Sequence, residues 1–430
     1  MSSCGSSLTT ESPAVASYIS GAHRNNLRGC KMQEPSTLRA PLLSTASTPS
    51  QCFSSRCAAI VVVITLSVAA VVRVAQFLWH STLPDEIADI VILGVGGAYW
   101  SNGVQAMAAS GTLTWACKLS NGGLALVEED TATLWDWHSE ATTRRTTLHH
   151  LRRPVQCVQH DTSLYVACFG MEEEAGHSGI AVLDVDSWSV RVERALRTTT
   201  HVHHVYPLPS AEAGAIAGLL FTDVGDPWVE PPVLGGVYHI HDARLQMGVE
   251  PTRVGPPMHS RAAVLPPSLS RAPGDEANVE GGATLLYVIT QEPHGEATRV
   301  VALDGGDWSG SVLSASVAAL LQLPRPALPS DGGADIFTLR GRLFVSDRYG
   351  GNGSLYELGW SAGRLDVLTS VELGVHPRYT DPLGTGDTIY SVSRDDGLLT
   401  IIDASSATLA VRAQRRAHVA LPAFLARYSA

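Results

Sequence analysis

From about residue 150 onward one local pattern keeps returning: a short apolar run carrying an aromatic residue, then a polar turn, then in most cases a second apolar run. It appears at residues 164–170 (LYVACFG), 219–225 (LLFTDVG), 286–291 (LYVITQ), 343–348 (LFVSDR) and 389–394 (IYSVSR). Measured at Phe169, Val224, Gln291, Arg348 and Arg394, the spacings are 55, 67, 57 and 46 residues. Runs of this length bounded by turn residues read as strands, and the 3.6-residue period that a helical solenoid needs is missing from this half of the chain. A supersecondary unit recurring every ~40–70 residues predicts a β-propeller, whose four-stranded blades repeat at roughly this interval. The stretch from Pro84 to the end, divided by about 48 residues per blade, predicts seven blades over residues 84–425.

The first 80 residues follow a different pattern. Residues 1–56 are rich in Ser, Thr, Pro and Ala, with Glu11 and Glu34 their only acids. That composition cannot bury enough apolar surface to order a chain, so a disordered tail is expected. Residues 57–79 (CAAIVVVITLSVAAVVRVAQFLW) then form a 23-residue, mostly apolar segment whose one charged residue is Arg73, long enough to cross a bilayer if Arg73 snorkels to the interface. Arg24, Arg28, Lys31, Arg39 and Arg56 precede this segment and Asp85, Glu86 and Asp89 follow it. The asymmetry predicts a type II signal anchor, with the tail cytoplasmic and the propeller lumenal or extracellular. A cleaved targeting segment, including a plastid-directed leader, is the alternative.

Charge narrows the function classes. Residues 1–80 carry two acidic and six basic side chains, so the net charge of −11 leaves the remainder at −15. An acidic body repels nucleic acid, and an anionic ligand would need a local arginine cluster. Lys31 and Lys118 are the only lysines, leaving little scope for Schiff-base chemistry. Cys117, Cys157 and Cys168 show no paired spacing that points to zinc or to a disulfide framework. Cys157 and Cys168 flank one hairpin, but residues opposite each other there should be other pairs. Most of the tryptophans read as blade packing. Gly94, Gly96 and Gly97 follow an apolar run without the helix and later acid of a dinucleotide fold. Neither a metal nor a cofactor is expected.

Residues 334–358 and 363–404 resemble the C-terminal blades of the lactonase propellers, the family of bacterial-type 6-phosphogluconolactonase and fungal carboxymuconate cyclase. The resemblance lies in an SxRG-like turn, a GxxPR step and the aspartate that ends the last strand. PVQCVQHDTSLYVACFG and HVHHVYPLP followed by LLFTDVG extend it more loosely, to roughly residues 150–410. It implies a small-molecule lactone as substrate and an axial site built from a His, a Glu and two Arg. The histidine falls on His203 and the arginines on Arg261 and Arg348. The glutamate position falls on Gln291, or on Glu292 after a shift of one residue, and Ala262 stands where the family has a second histidine. His201, Gln291, Asp347 and Arg394, beside or equivalent to these positions, are the substrate-binding candidates.

The chemistry of such a set stands apart from the resemblance. A neutral imidazole such as His203, oriented by a carboxylate such as Glu292, suits deprotonation of water near pH 7. A guanidinium, from Arg261 or Arg348, stabilises the resulting oxyanion while the other grips a carboxylate or phosphate. His201, His203 and His204 also read as a metal site or as ordinary strand polar residues. A propeller that kept its fold without catalysis would serve as a protein or glycan interaction module.

Overall fold

The computed structural model describes residues 87–428, apart from segments 139–142, 171–176, 210–215, 227–228, 242–244, 246, 266–284, 292–297, 306–307, 309–313, 325–334, 348–351, 362 and 385. The expected tail 1–56 and apolar segment 57–79 lie outside the described residues, as do Glu292 and Arg348. Among the described residues no helix is long and apolar enough to cross a membrane.

The body is an all-β propeller. Its first sheet holds β1 (Ile90–Trp100), β2 (Gln105–Lys118), β3 (Leu124–Glu128), β4 (Thr133–Trp137) and β5 (Arg144–Thr147). Four-stranded sheets follow in chain order. The second is β6 (Pro154–His160), β7 (Ser163–Cys168), β8 (Gly179–Asp184) and β9 (Ser189–Ala195). The third is β10 (Val202–Pro209), β11 (Ile216–Asp226), β12 (Val233–Ile240) and β13 (Thr252–Arg253). The fourth is β14 (Ser260–Val264), β15 (Leu285–Gln291), β16 (Thr298–Asp304) and β17 (Ser316–Gln322). The fifth is β18 (Ile336–Leu339), β19 (Arg342–Asp347), β20 (Asn352–Ser361) and β21 (Arg364–Val375). The sixth is β22 (Pro377–Asp381), β23 (Thr388–Ser393), β24 (Leu398–Asp403) and β25 (Ala410–Arg416). Finally β26 (Phe424–Arg427) returns to the first sheet and pairs antiparallel with β1, Ile90 opposite Arg427 and Leu93 opposite Phe424.

The five repeated sequence signals are β7, β11, β15, β19 and β23, the second strand of each four-stranded sheet. Burial explains why they stood out. In the sixth sheet nearly all of β23 (TIYSVS) and the centre of β24 (LLTIID) are buried, whereas outer β25 (AVRAQRR) has no buried residue and is exposed at Ala410, Val411, Arg412, Gln414 and Arg416. The middle strands are covered on both faces by neighbouring sheets and so read as continuous apolar runs. The outermost strand reaches solvent.

The ring has six sheets, not the expected seven. The difference comes from β2, a 14-residue strand. Its first half pairs with β1, as in Ala108 opposite Gly97, and its second half pairs with β3, from Leu113 opposite Glu128 to Lys118 opposite Leu124. One uninterrupted strand thus serves two ladders in succession and joins β26-β1-β2 and β2-β3-β4-β5 into a single six-stranded sheet. Division by an average blade length cannot detect such a fusion.

The core is distributed between sheets. Leu134, Leu164 and Val166 join the first sheet to the second; Val182, Val205 and Phe221 join the second to the third. Leu220, Val288 and Leu303 join the third to the fourth, and Ile289, Leu343 and Val345 join the fourth to the fifth. Phe344, Leu355 and Ile389 join the fifth to the sixth, and Ile92, Val392 and Leu425 close the circle. Tight hairpins keep the sheets in register. Between β18 and β19, Arg340 and Gly341 both take positive φ, 50° and 75°, the two-residue turn that matches strand twist.

Leu425 is fully buried where the last strand meets the first. Leu425→Ala is expected to cost about 2–5 kcal/mol of unfolding free energy, read from the urea midpoint at unchanged slope. A loss below about 1 kcal/mol would show that this closing contact carries little of the ring's stability.

Candidate active site

The innermost strands share one irregularity. In β2, β6, β10, β14 and β22 the ladder to the next strand slips near that ladder's start, at Thr114, Val155, His203, Arg261 and Arg378 respectively. Such a β-bulge leaves one residue unpaired and re-aims its side chain. All five of these residues line one central cavity. Asp335, directly before β18, supplies the fifth sheet's contribution and Phe424 of β26 adds to the first sheet's. Side chains from all six sheets, far apart in sequence, therefore meet in one place.

The cavity has a volume of about 50 Å³, room for a few waters. Its wall carries two guanidinium groups, Arg261 and Arg378, the imidazoles of His203 and His204, and the carboxylates of Glu129 and Asp335. Glu129 is engaged by Arg153 at 2.5 Å, and Asp335 Oδ2 accepts the Thr380 backbone N–H at 2.9 Å. Trp115 forms an aromatic floor, edge-on to His204 and Tyr379 at centroid distances of 5.4 and 5.6 Å and against Phe424 at 4.5 Å.

The two histidines form a pair. His203 Nδ1 lies 2.7 Å from His204 Nδ1, and the rings stack at 4.8 Å. That separation holds a single hydrogen, so one ring donates and the other accepts. His204 Nδ1 also lies 2.9 Å from the Arg261 carbonyl, which accepts from the Thr222 hydroxyl at 2.8 Å. The imidazole pair is thereby tied to the backbone that carries the arginine. Below this tier burial pushes the hydroxyls of Tyr206 and Tyr379 up from their ordinary value, with the Asp335 charge adding to both.

Of the expected site residues, His203 and Arg261 are brought together in the cavity, while Glu292 and Arg348 lie outside the described residues. His201 is buried and stacks on Phe169, its Nδ1 2.9 Å from the Phe169 carbonyl of the preceding sheet. His259 repeats the arrangement on Val224 at 2.7 Å, so both act as staples between sheets and do not line the cavity. Asp347 is buried beside Thr298 at 3.4 Å, also away from it. Arg394 donates its backbone N–H to His376 at 2.9 Å and does not line the cavity either. Gln291 ends β15 opposite Thr298.

No protein-family profile matches the chain, and no curated protein matches it. Solved structures do. A candidate 6-phosphogluconolactonase from Bacteroides fragilis aligns with 80% of this chain and 99% of its own, at 14% identity and a TM-score of 0.53. The periplasmic gluconolactonase of Pseudomonas aeruginosa aligns with 79% of this chain and 99% of its own, at 15% identity and a TM-score of 0.54. The chain has the fold of the lactonase-like propellers. A hypothetical selenium-binding protein from Sulfolobus tokodaii, at 11% identity and a TM-score of 0.50 over 81% of this chain and 92% of its own, shares the architecture too. At such identities the likeness establishes fold and leaves function to the site.

Arg378, Glu129 and Asp335 were not among the expected site residues, His204 entered only as a candidate metal ligand beside His201 and His203, and Trp115 lines the cavity where blade packing was expected. A signal for Arg378 is present in the sequence. His201-Val-His203, His259-Ser-Arg261 and His376-Pro-Arg378 share one spacing, each placing a histidine two residues ahead of a bulged cavity residue.

Burial, and behind it the charge of Asp335, pushes the Asp381 carboxyl from its ordinary 3.8 up to about 6, although the Leu383 N–H at 2.8 Å opposes the shift. The folded chain holds this proton more tightly than the unfolded chain. The group's contribution to stability is therefore whole below about pH 4 and is lost as pH rises through 6. Asp381→Asn should be more stable than the parent at pH 7.5, by on the order of 3 kcal/mol, with the difference vanishing near pH 4. Parallel urea titrations at the two pH values check this; equal differences at both would contradict it.

Proposed function

We propose that the central cavity hydrolyses a lactone of a sugar acid or related carboxylic acid without a metal, by general-base attack of water. The observation that carries this reading is His203 meeting Arg261 and Arg378, each on its own bulge, in one cavity fed by every sheet. The Arg261 carbonyl can only accept, so the hydrogen between the rings sits on His204 Nδ1. His203 Nδ1 is therefore the base: it takes the water proton in place of that contact, and the hydroxide equivalent attacks the lactone carbonyl. His204 orients the base, the role expected of Glu292. One guanidinium stabilises the oxyanion and the other holds a substrate carboxylate or phosphate, in the manner expected of a charge-assisted donor pair. When the ring C–O bond breaks, His203 returns its proton to the leaving oxygen, and the product is the open-chain hydroxy acid.

The fold likeness to lactonase-like propellers supports this substrate class. The 57–79 segment and the charges flanking it support a site across a membrane from the basic tail, where a sugar-acid lactone outside the cytosol would be met. Gln291 at the family's glutamate position favours a second reading, in which the same cavity binds an anionic ligand without turning it over.

The test is hydrolysis of a panel of aldonolactones and small aliphatic lactones by the full-length chain. His203→Ala is expected to lower kcat by about 10²–10⁴, and Arg378→Met to lower kcat/KM by about 10². Saturable binding of the lactones without hydrolysis in the parent would support the binding module, and parental turnover in His203→Ala would end the general-base mechanism.

A further inference from the structure

Beside the cavity two thiols from different sheets face each other. Cys117 lies on β2 of the first sheet and Cys157 on β6 of the second, 40 residues apart, with their sulfurs 3.1 Å from one another. Neither is in a disulfide; Cys117 is partly accessible and Cys157 is buried. A disulfide bond is about 2.05 Å long, so closure needs the sulfurs to approach by only about 1 Å. The surroundings hold them in place. Gln159, two residues beyond Cys157, accepts the Ser120 backbone N–H and donates to the Ser120 hydroxyl, both at 2.8 Å. The two strands are thus clamped three residues past Cys117. Each strand reaches the cavity only two or three residues earlier, through Val155 on β6 and Thr114 and Trp115 on β2.

We propose that Cys117 and Cys157 form a reversible disulfide that covalently staples the first sheet to the second along the wall of the central cavity. The oxidant is a small-molecule disulfide such as oxidised glutathione. The more accessible Cys117, as thiolate, attacks one sulfur of the oxidant and releases one glutathione thiolate. The resulting mixed disulfide is attacked at the Cys117 sulfur by the Cys157 thiolate, which releases the second. Two S–H bonds are lost, one S–S bond forms, and the oxidant leaves as two thiols. Burial raises the Cys157 thiol well above its ordinary value, so the second step accelerates with rising pH. Cys168 stays out of the exchange: it is fully buried, is held protonated by that burial, and pairs in register with Pro154 and not with Cys157.

The experiment exposes the purified full-length chain to oxidised glutathione, blocks free thiols by alkylation, and maps peptides without reduction. The expected product is a Cys117–Cys157 linked peptide pair about 2 Da lighter than its free halves. It should come with a melting temperature raised by about 5 °C, from closure of the 40-residue loop in a domain of this size. Dithiothreitol should reverse both changes, and Cys117→Ser and Cys117→Ala should abolish both while keeping the parent's reduced melting temperature within a few degrees. Recovery of Cys117 and Cys157 both alkylated, glutathione retained on Cys117, or a link from either residue to another cysteine would overturn the proposal.

Discussion

Every sheet in this ring is covered on both faces by its neighbours, and that mutual burial is the constraint from which the remaining features follow. A sheet covered on one face only would leave half of its middle strands in water; here Val166, Phe221, Val288, Phe344 and Val392 are all essentially without solvent contact. The arrangement is satisfied only when the circle closes, because the first and last sheets otherwise each expose an apolar face. Closure falls to four residues of β26 laid against β1. The strands nearest the axis cannot also be covered on the axial side, and there the chain is free to carry polar side chains.

The bulges convert that freedom into a site. A regular inner strand directs its side chains at the two neighbouring sheets and none along the axis. One slipped residue near the start of each inner ladder breaks the alternation and turns a side chain toward the centre, at the cost of one ladder position. Since the slip recurs at the same place in five inner strands, the five residues converge whatever their identity. Thr114 and Val155 occupy the same structural position as His203, Arg261 and Arg378. The scaffold fixes where a group will sit, and substitution at the bulge decides what chemistry sits there.

This division explains what was legible in the sequence. The second strands were visible because burial on both faces turns them into apolar runs, and all five signals proved to be real strands in equivalent places. Seven blades were counted where six sheets exist because nothing in the apolar pattern of residues 105–118 marks the point at which β2 changes partners. Among candidate site residues, His203 and Arg261 were found through family resemblance, and they do lie at bulges. His201 looked equally attractive on the same strand, but a histidine two residues ahead of the bulge faces the preceding sheet and caps a carbonyl there. Arg378 stands in the GxxPR step yet carries no site signal there, because a bulge leaves no trace in hydrophobic periodicity. Only the shared spacing from His201, His259 and His376 exposes it. Glu129 and Asp335 lie in connecting residues beside their strands, where no periodicity applies.

Placing charged groups at the axis brings its own electrostatic difficulty. Arg261 and Arg378 share a small cavity, and two cations so placed would repel unless anionic groups stood near. Glu129 and Asp335 line the same wall, and Asp381 follows on the strand that carries Arg378. These carboxylates are crowded in turn, which is why burial and the Asp335 charge hold the Asp381 proton on to about pH 6. The Tyr379 hydroxyl bonds to Asp381, and burial first, then the Asp381 charge, hold its own proton more firmly. An incoming anion would join the arginines in place of part of this internal compensation. Binding of an anion at the arginines would therefore be coupled to protonation of the acidic tier through charge balance.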